Sequence, residues 1–277
     1  MSKTKSSRLA LAAICGILST GAASAADLPA KAPVYKAAPV AVFSWTGFYV
    51  GGTAGAAWTK ADVSMNTVNG AIPLYVPADI PTLNAFGSPG LSQTNAIFGG
   101  KAGYNQQWGR FVLGVEGDIS SFRFNPTVVA TGNPFITFPV TGTATMSTNV
   151  RTSWLATIRG RAGFASDHWL FYGTGGAAIA DVRYSNIYSA FSPGGAGFDA
   201  EAVAASETRV GWTAGAGIDY AVNPHLILSA EYLHVDLGTT TASGLVTTQF
   251  APGRTATFNF STRVTSDLAR VGAAYKF

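Results

Sequence analysis

The sequence predicts an all-β protein, an eight-stranded antiparallel transmembrane β-barrel with short periplasmic turns and long extracellular loops. Three observations lead to this prediction. Apolar residues make up 47% of the 277 residues and charged residues only 12%, about half the usual charged share. The apolar residues alternate with polar ones instead of forming the long runs that membrane-spanning helices need. Short connections alternate with long ones along the chain, which is typical of barrels in bacterial outer membranes.

The amino-terminal segment has the three parts of a secretory signal peptide. A start with three basic residues precedes an apolar stretch, and Ala23-Ser24-Ala25 matches a cleavage site. We therefore predict a cleaved signal peptide over residues 1–25. Without its three basic residues, 15 basic side chains remain against 14 acidic ones, so composition gives no support for nucleic-acid binding. The only cysteine, Cys15, lies inside this segment, and the mature chain should contain no disulfide or thiolate ligand.

Residues 26–44 form a segment of a different composition, rich in proline and alanine. Such a segment favours extended, unpaired backbone and predicts a periplasmic tether. Two interpretations stay open: a simple disordered spacer, or a segment whose Lys31 and Lys36 contact the cell wall or a periplasmic partner. The barrel itself is predicted over residues 45–277.

Eight segments of the barrel region alternate with period two, which predicts strands with one apolar and one polar face. In chain order they cover residues 46–58, 95–107, 111–124, 149–165, 169–184, 208–222, 226–237 and 263–277. The first three place Phe48, Phe98 and Val115 on the apolar face, which we expect to face lipid. The fourth places Val150 and Ile158 there.

The later segments continue the pattern. The fifth sets Val182 against Asp181 and Arg183 on the opposite face, and the seventh sets Tyr232 against Glu231. Tight connections at 107–110, 165–169 and 222–225 carry turn residues. Long ones span 59–94, 125–148, 185–207 and 238–262. Three short turns and four long loops require eight strands, with both ends of the barrel region in the periplasm.

The last segment ends on two aromatic residues of its apolar face, Tyr275 and Phe277. Aromatic rings favour the interface between lipid and water. Together with the alternation before them, these residues predict a carboxy-terminal assembly signal, which the barrel assembly machinery would recognise.

The polar faces of the strands carry twelve charged residues that we expect to point into the barrel. They are Lys101, Glu116, Asp118, Arg151, Arg159, Arg161, Asp181, Arg183, Arg209, Asp219, Glu231 and Arg270. An eight-stranded barrel is just wide enough for its side chains to fill, and buried charges need partners. We therefore predict a lumen charge network, with Glu116 and Lys101 as a neighbouring pair. The alternative is the charged constriction of a small pore.

No catalytic, cofactor or metal site is predicted. The nearest candidate for catalysis is His234 with Asp236 near the outer end of the seventh segment, and this spacing also fits a solvated pair at the rim. The other histidines, His168 and His225, lie in predicted periplasmic turns, so the three cannot form one metal site.

Three stretches of the chain resemble a known family. They are Trp45-Thr-Gly-Phe-Tyr-Val-Gly-Gly, Glu231-Tyr-Leu-His-Val-Asp-Leu-Gly and Arg270-Val-Gly-Ala-Ala-Tyr-Lys-Phe. They are similar to the opening and the last two strands of small outer-membrane barrels of alphaproteobacteria, immunogenic surface proteins often grouped as a porin family. The resemblance implies an eight-stranded barrel, exposure at the cell surface, envelope-stabilising and antigenic roles and, in some members, haem binding. It brings no catalytic residues.

The function predicted from these observations is that of a non-enzymatic structural and surface-exposed barrel of the Gram-negative outer membrane. Two alternatives stay open: a narrow porin for small solutes, and adhesion or haem and ligand binding by the loops. The expected partners are outer-membrane lipid and lipopolysaccharide, the assembly machinery and, through the tether, the cell wall.

Overall fold

The structure, a computed structural model, describes residues 43–137, 142–192, 197–249 and 251–277. The predicted signal peptide and residues 26–42 of the predicted tether lie outside the described residues. The chain forms nine strands and one short helix in the part described. These are β1 (Gly47–Asn69), α1 (Ile80–Phe86), β2 (Gly90–Trp108), β3 (Phe111–Phe124), β4 (Thr127–Gly132), β5 (Thr143–Ser166), β6 (Trp169–Ser192), β7 (Gly197–Ala221), β8 (Leu226–Thr248) and β9 (Thr255–Lys276).

The strands close into an antiparallel barrel whose wall is eight strands wide. β1 pairs with both β2 and β9, and the ring closes on the other side where β3 pairs with β5. β4 follows β3 after a break at Asn125-Pro126 and also pairs with β5. β3 and β4 therefore count together as one of the eight strands of the barrel wall. The prediction of an eight-stranded antiparallel barrel is confirmed. Among the described residues, no helix is long and apolar enough to span a membrane.

The three tight turns lie where the sequence predicts them. Gly109 joins β2 to β3 with a φ of 60°, and Asp167 joins β5 to β6 with a φ of 50°. The turn between β7 and β8 is held by the side chain of Asn223, whose Oδ1 accepts hydrogen bonds from the backbone N–H groups of His225 and Leu226. Because these turns are short, they fix the register of the strands that they join at this end of the barrel.

At the other end the strands continue well into segments that we predicted as loops. Six of the strands have 22 to 25 residues. β1 reaches Asn69, whereas the sequence predicts that it ends at Trp58. The prediction of a loop beginning at residue 59 is therefore wrong. Backbone pairing continues because a wall of paired strands satisfies N–H and C=O groups in water as well as in lipid.

The apolar face of the strands changes sides about halfway along the barrel. On β1, Phe48 and Trp58 are exposed on the outside. The outward residues from Lys60 to Asn66 are polar, whereas Met65 is buried inside. β9 shows the same change. The exposed apolar part of β1 has the length that a tilted strand needs to cross a bilayer. We infer that lipid surrounds the half of the barrel next to the tight turns, and that the other half, here called the outer half, projects into water.

A β-bulge in β5 explains why the predicted orientations of Val150 and Arg151 are wrong. Pairing runs from Leu155–Ala180 to Arg151–Arg183, so β5 contains one more residue than β6 over this interval. Beyond the bulge the even-numbered residues of β5 point inward, and Val150 is fully buried where we predicted a lipid-facing position. A shift of one residue exchanges the two faces of a strand.

β6 has the opposite orientation from the one predicted along its whole length. Val182 and Tyr184 are buried, whereas Arg183 is exposed and Asp181 is half-buried on the outer side. Because the outer half stands in water, its apolar residues turn inward, and the rule that apolar residues face lipid assigned them to the wrong side. In the half next to the tight turns, Tyr172 is buried inside because its ring packs against Arg161 of the lumen. The predicted inward positions of Arg151, Asp181 and Arg183 are therefore wrong.

The lumen is filled in three layers. At the end with the tight turns, Trp45 is fully buried against Val112, Leu170 and Tyr172. A layer of charged residues follows. The outer half contains a larger apolar core, covered by Leu83 of α1 and by Tyr75. Its largest fully buried side chains are Phe122, Phe124, Tyr184, Tyr188, Phe258 and Phe260.

Candidate functional site: the charged layer of the lumen

Four cations and four anions meet inside the barrel at the level of the membrane. They are Lys101, Arg159, Arg161 and Arg270 with Glu116, Asp118, Asp219 and Glu231, and all are buried. Strand pairing brings several of them together directly, because Lys101 lies opposite Asp118 and Glu116 opposite Arg159. Glu231 likewise lies opposite Arg270. The formal charge of the layer is zero, which is the condition under which so many ionised groups can be buried.

Arg159 lies at the centre of this layer and contacts three carboxylates. Its Nη1 lies 2.6 Å from Glu231 Oε1, and its Nη2 lies 3.1 Å from Asp118 Oδ2. The same Nη2 also forms an ion pair with Glu116. The side chain is fully shielded from solvent. Arginine suits this place because its planar guanidinium group offers several donors in a fixed arrangement.

Arg270 connects two of the same anions from the opposite side. Its Nη1 and Nη2 donate to the two oxygens of Asp118 at 2.9 and 3.0 Å, a bidentate arrangement. Its Nε donates to Glu231 Oε2 at 2.8 Å. The hydroxyl of Thr157 donates a further hydrogen bond to Asp118 at 2.5 Å. Asp118 is thereby fully coordinated by protein groups.

Arg161 occupies a separate position between two tyrosines. It pairs with Asp219 at 2.5 Å and with Glu116 at 3.3 Å. Its guanidinium carbon lies 3.8 Å from the ring centroid of Tyr172, a distance typical of a cation–π contact. Tyr49 accepts a hydrogen bond from Arg161 and donates one to Glu116, each at 2.8 Å. The tyrosines therefore extend the network without adding charge.

Lys101 is the most loosely attached cation. Its Nζ lies 3.7 Å from Glu116 and donates a hydrogen bond to Ser229 at 3.1 Å. The structure thus places the predicted neighbours Lys101 and Glu116 together, but the shorter contact of Glu116 is with Arg159. Sequence reasoning missed Tyr49, Tyr172 and Thr157, although Thr157 shares the inward parity of Arg159 and Arg161 on β5.

Two inward-facing glycines make room for these tyrosines. A Cβ atom on Gly103 would collide with the hydroxyl of Tyr49, and one on Gly217 would collide with the hydroxyl of Tyr172. Each tyrosine therefore crosses over a glycine of a neighbouring strand to reach the charged layer. Small residues at these positions are a condition of the network, because β-carbons would push both rings away from it.

The other four predicted lumen charges lie outside this layer. Arg151 and Arg183 are exposed on the outer surface of the outer half. Asp181 accepts hydrogen bonds from the backbone N–H groups of Ser153 and Trp154 and thereby stabilises the β5 bulge. Arg209 is half-buried, with its Nη1 3.4 Å from Glu207. The carboxy-terminal aromatics Tyr275 and Phe277 are exposed on the lipid-facing side.

The histidine considered for catalysis has a different partner from the one predicted. His234 Nδ1 lies 2.8 Å from Asp267 Oδ1 on the outer surface, and the hydroxyl of Tyr232 donates to the same oxygen. Asp236 instead pairs with Arg263, and this cation lowers the pKa of Asp236. Within the described ranges, no three His, Cys, Asp or Glu side chains are grouped so that they could hold a metal ion.

A closed antiparallel β-sheet with an apolar band on its outer surface defines a membrane-spanning β-barrel. The family model described as "Outer membrane protein beta-barrel domain" matches residues 14–277. The chain therefore belongs to the outer-membrane β-barrel family and is located in the outer membrane, as the sequence resemblance predicts.

Named relatives agree with this assignment. The chain is 32% identical over 232 residues to the 31 kDa outer-membrane immunogenic protein of Brucella melitensis, covering 82% of this chain and 86% of the relative. It is 28% identical to the 22 kDa outer membrane protein of Rhizobium leguminosarum, covering 70% and 64%. Among solved structures it is similar to OprG of Pseudomonas aeruginosa, with a TM-score of 0.40 at 10% identity, covering 85% of this chain and 98% of that one.

Proposed function

We propose that the protein is a non-enzymatic, non-conducting barrel that stabilises the outer membrane and presents its outer half at the cell surface. One observation supports this proposal: three groups of buried side chains occupy successive levels of the lumen. Trp45 occupies one end, the charged layer the middle and the aromatic core the outer half.

The charged layer opposes conduction more strongly than a simple constriction would. An ion that crosses it has to separate pairs such as Arg159–Glu231 and Arg270–Asp118, whose partners are buried on every side. Leaving one member of a buried pair without its partner costs about 3–5 kcal/mol. A conducting lumen would instead leave its charges hydrated and its centre open.

Conductance in planar bilayers tests this proposal. The wild-type barrel should give no resolved current steps. Arg151→Ala, which removes an exposed arginine outside the lumen, should behave in the same way. Steady wild-type steps whose ion selectivity changes with Arg159→Ala but not with Arg151→Ala would show that the charged layer lines a pore. That result would replace the structural role by that of a narrow porin.

A further inference from the structure

Two arginines stand side by side on the outer surface of the outer half. Arg151 of β5 lies directly opposite Arg183 of β6 in the antiparallel register. Both point away from the lumen, and the side chain of Arg183 is 56% exposed. Like charges that face each other across two strands destabilise a sheet. Such an arrangement therefore indicates that something else offsets the repulsion.

Little negative charge is available from the protein at this point. Arg183 Nε lies 3.7 Å from Asp181, a carboxylate whose other oxygen already accepts the backbone N–H groups of the bulge. In the described part of the chain, Arg151 forms no ion pair. Arg123 of the neighbouring β3 is also exposed and without an ion pair there. This side of the barrel therefore carries excess positive charge.

The opposite side of the barrel differs at the corresponding level. There the cations Lys60 and Arg263 are accompanied by Asp62, Asp236 and Asp267, and Arg263 donates to Asp236 at 2.5 Å. Asp267 pairs with His234. The positive charge is therefore a local property of β3, β5 and β6, not a general feature of the surface.

A cleft of about 340 Å³ lies beside the arginine pair. Its outward-facing lining consists of Arg151, Arg183, Asn149, Ser185, Ser206 and Ala204. The hydroxyls of Ser185 and Ser206 can donate hydrogen bonds, and the lining contains no carboxylate. A cleft with two guanidinium groups and two hydroxyls suits a phosphate group, which accepts paired hydrogen bonds from arginine.

The height of the cleft on the barrel suggests the source of that phosphate. The continuous apolar surface of β6 and β7 ends at the paired residues Ile179 and Val210, although Ile187 and Phe191 are exposed singly beyond it, and Arg183 lies four residues further out than Ile179. This is about 13 Å along the strand at about 3.3 Å per residue, or roughly 10 Å along the membrane normal for a tilted strand. Long arginine side chains can reach back towards lipid headgroups from such a position.

We propose that Arg151 and Arg183 form a binding site for the phosphate groups of an outer-leaflet glycolipid, with Arg123 at its edge. Bound phosphate offsets the repulsion between the two guanidinium groups and fastens one side of the barrel to the lipid surface. The site depends on the outer-membrane location of the barrel and is independent of whether the lumen conducts.

The test compares lipid retained by the full chain in nanodiscs of phosphatidylcholine mixed with either diphosphoryl lipid A or its dephosphorylated form. Native mass spectrometry counts the glycolipid molecules that stay bound. Wild type should retain the phosphorylated form preferentially, and Arg151→Gln with Arg183→Gln should reduce that retention about tenfold. The matched control, Lys60→Gln with Arg254→Gln, removes the same charge from exposed positions elsewhere and should retain lipid like wild type.

Three results would overturn the proposal. Equal loss of lipid in both double variants would indicate general electrostatic attraction without a site. Retention by the Arg151→Gln, Arg183→Gln variant at the wild-type level would show that the cleft does not bind the lipid. Complete displacement of lipid A by inorganic phosphate would assign the cleft to a soluble anion. Heat-modifiable mobility on gels checks that each variant is folded.

Discussion

Arg159 is the residue on which the charged layer depends most, because it contacts carboxylates from both sides of the lumen. Eight charged residues of this layer could be predicted from sequence, since each lies on a strand whose alternation is regular through the membrane. Their partners could not be predicted. Which arginine reaches which carboxylate depends on the stagger of the strands and on the room left by Gly103 and Gly217.

Removing Glu116 tests whether the layer is dry. Glu116→Ala leaves Lys101, Arg159 and Arg161 with one anion fewer, and we expect it to destabilise the barrel by about 3–5 kcal/mol. Adding Lys101→Ala should recover part of the loss, because the remaining charges again sum to zero. The measurement is unfolding in urea, followed by tryptophan fluorescence in lipid vesicles.

The matched control is Asp267→Ala, which breaks the exposed pair with His234. This variant should lose less than about 1 kcal/mol, as expected of pairs in water. If Glu116→Ala costs as little as the control, the charged layer is hydrated, and a filled lumen is the wrong description.

A second buried carboxylate lies in the outer half, away from the charged layer. Glu201 of β7 points inward opposite Tyr188 and packs against Gly244 of β8. Neither of its oxygens has a hydrogen-bond partner within the described residues. Burial raises its pKa from 4.5 to about 7. The inward-facing Asp199 nearby has a raised pKa for the same reason.

Glu201 should make stability fall as pH rises. Because its folded pKa lies above its unfolded value, the carboxyl group is neutral in both states below about 4.5 and costs nothing there. The cost of burying the charge grows between the two values and is complete above about 7. Glu201→Gln should therefore stabilise the barrel on the order of 2 kcal/mol above pH 7 and have little effect at pH 4. Thermal unfolding of both proteins across this range provides the measurement, and a difference that does not change with pH would contradict the assignment.

At the scale of elements, β5 shows where sequence patterns stop being informative. Its alternation changes phase at the bulge near Ser153 and Trp154, where the side chain of Asp181 from β6 holds the two backbone N–H groups. A bulge adds one residue without any necessary change in composition. The contact that stabilises it comes from another strand, so the local sequence of β5 contains no signal for it.

The closing strand β9 permits a sharper test. Phe277 donates its backbone N–H to Phe48 and stacks edge-on with Tyr275 on the lipid-facing side. We propose that the barrel assembly machinery recognises Phe277, so deleting this residue should slow or prevent assembly; the deletion also removes a hydrogen bond to the first strand. Heat-modifiable mobility of membrane fractions measures the assembled share. Phe191→Ala, which removes an exposed aromatic of the outer half, is the control and should assemble normally. Normal assembly without Phe277 would refute the signal.

At the scale of the whole molecule, the barrel is built for two solvents. The half near the tight turns is apolar outside and charged inside, and the outer half is mainly polar outside, with a few exposed apolar residues such as Ile187 and Phe191, and aromatic inside. The number of strands and the tight turns could be predicted because both depend on local pattern. The length of the strands could not, since the outer halves alternate in the opposite sense and resemble loops when lipid is assumed on the outside. Val182 and Tyr184 on β6 are the clearest examples.

The position of the lipid band gives the last prediction, which uses cysteines introduced into a Cys15→Ser background. Ser64 points outward from the outer half of β1, Ala102 points outward from the lipid-facing part of β2, and Asp167 lies in a tight turn. A membrane-impermeant maleimide added to intact cells should label Ser64→Cys alone. Asp167→Cys should react only after the outer membrane is permeabilised, and Ala102→Cys only in detergent. A Ser64→Cys protein that stays unlabelled in intact cells would place the outer half of β1 inside the bilayer. The polar outward residues Lys60, Asp62 and Ser64 would then face lipid, at a cost of about 2–4 kcal/mol for a charge near the bilayer centre.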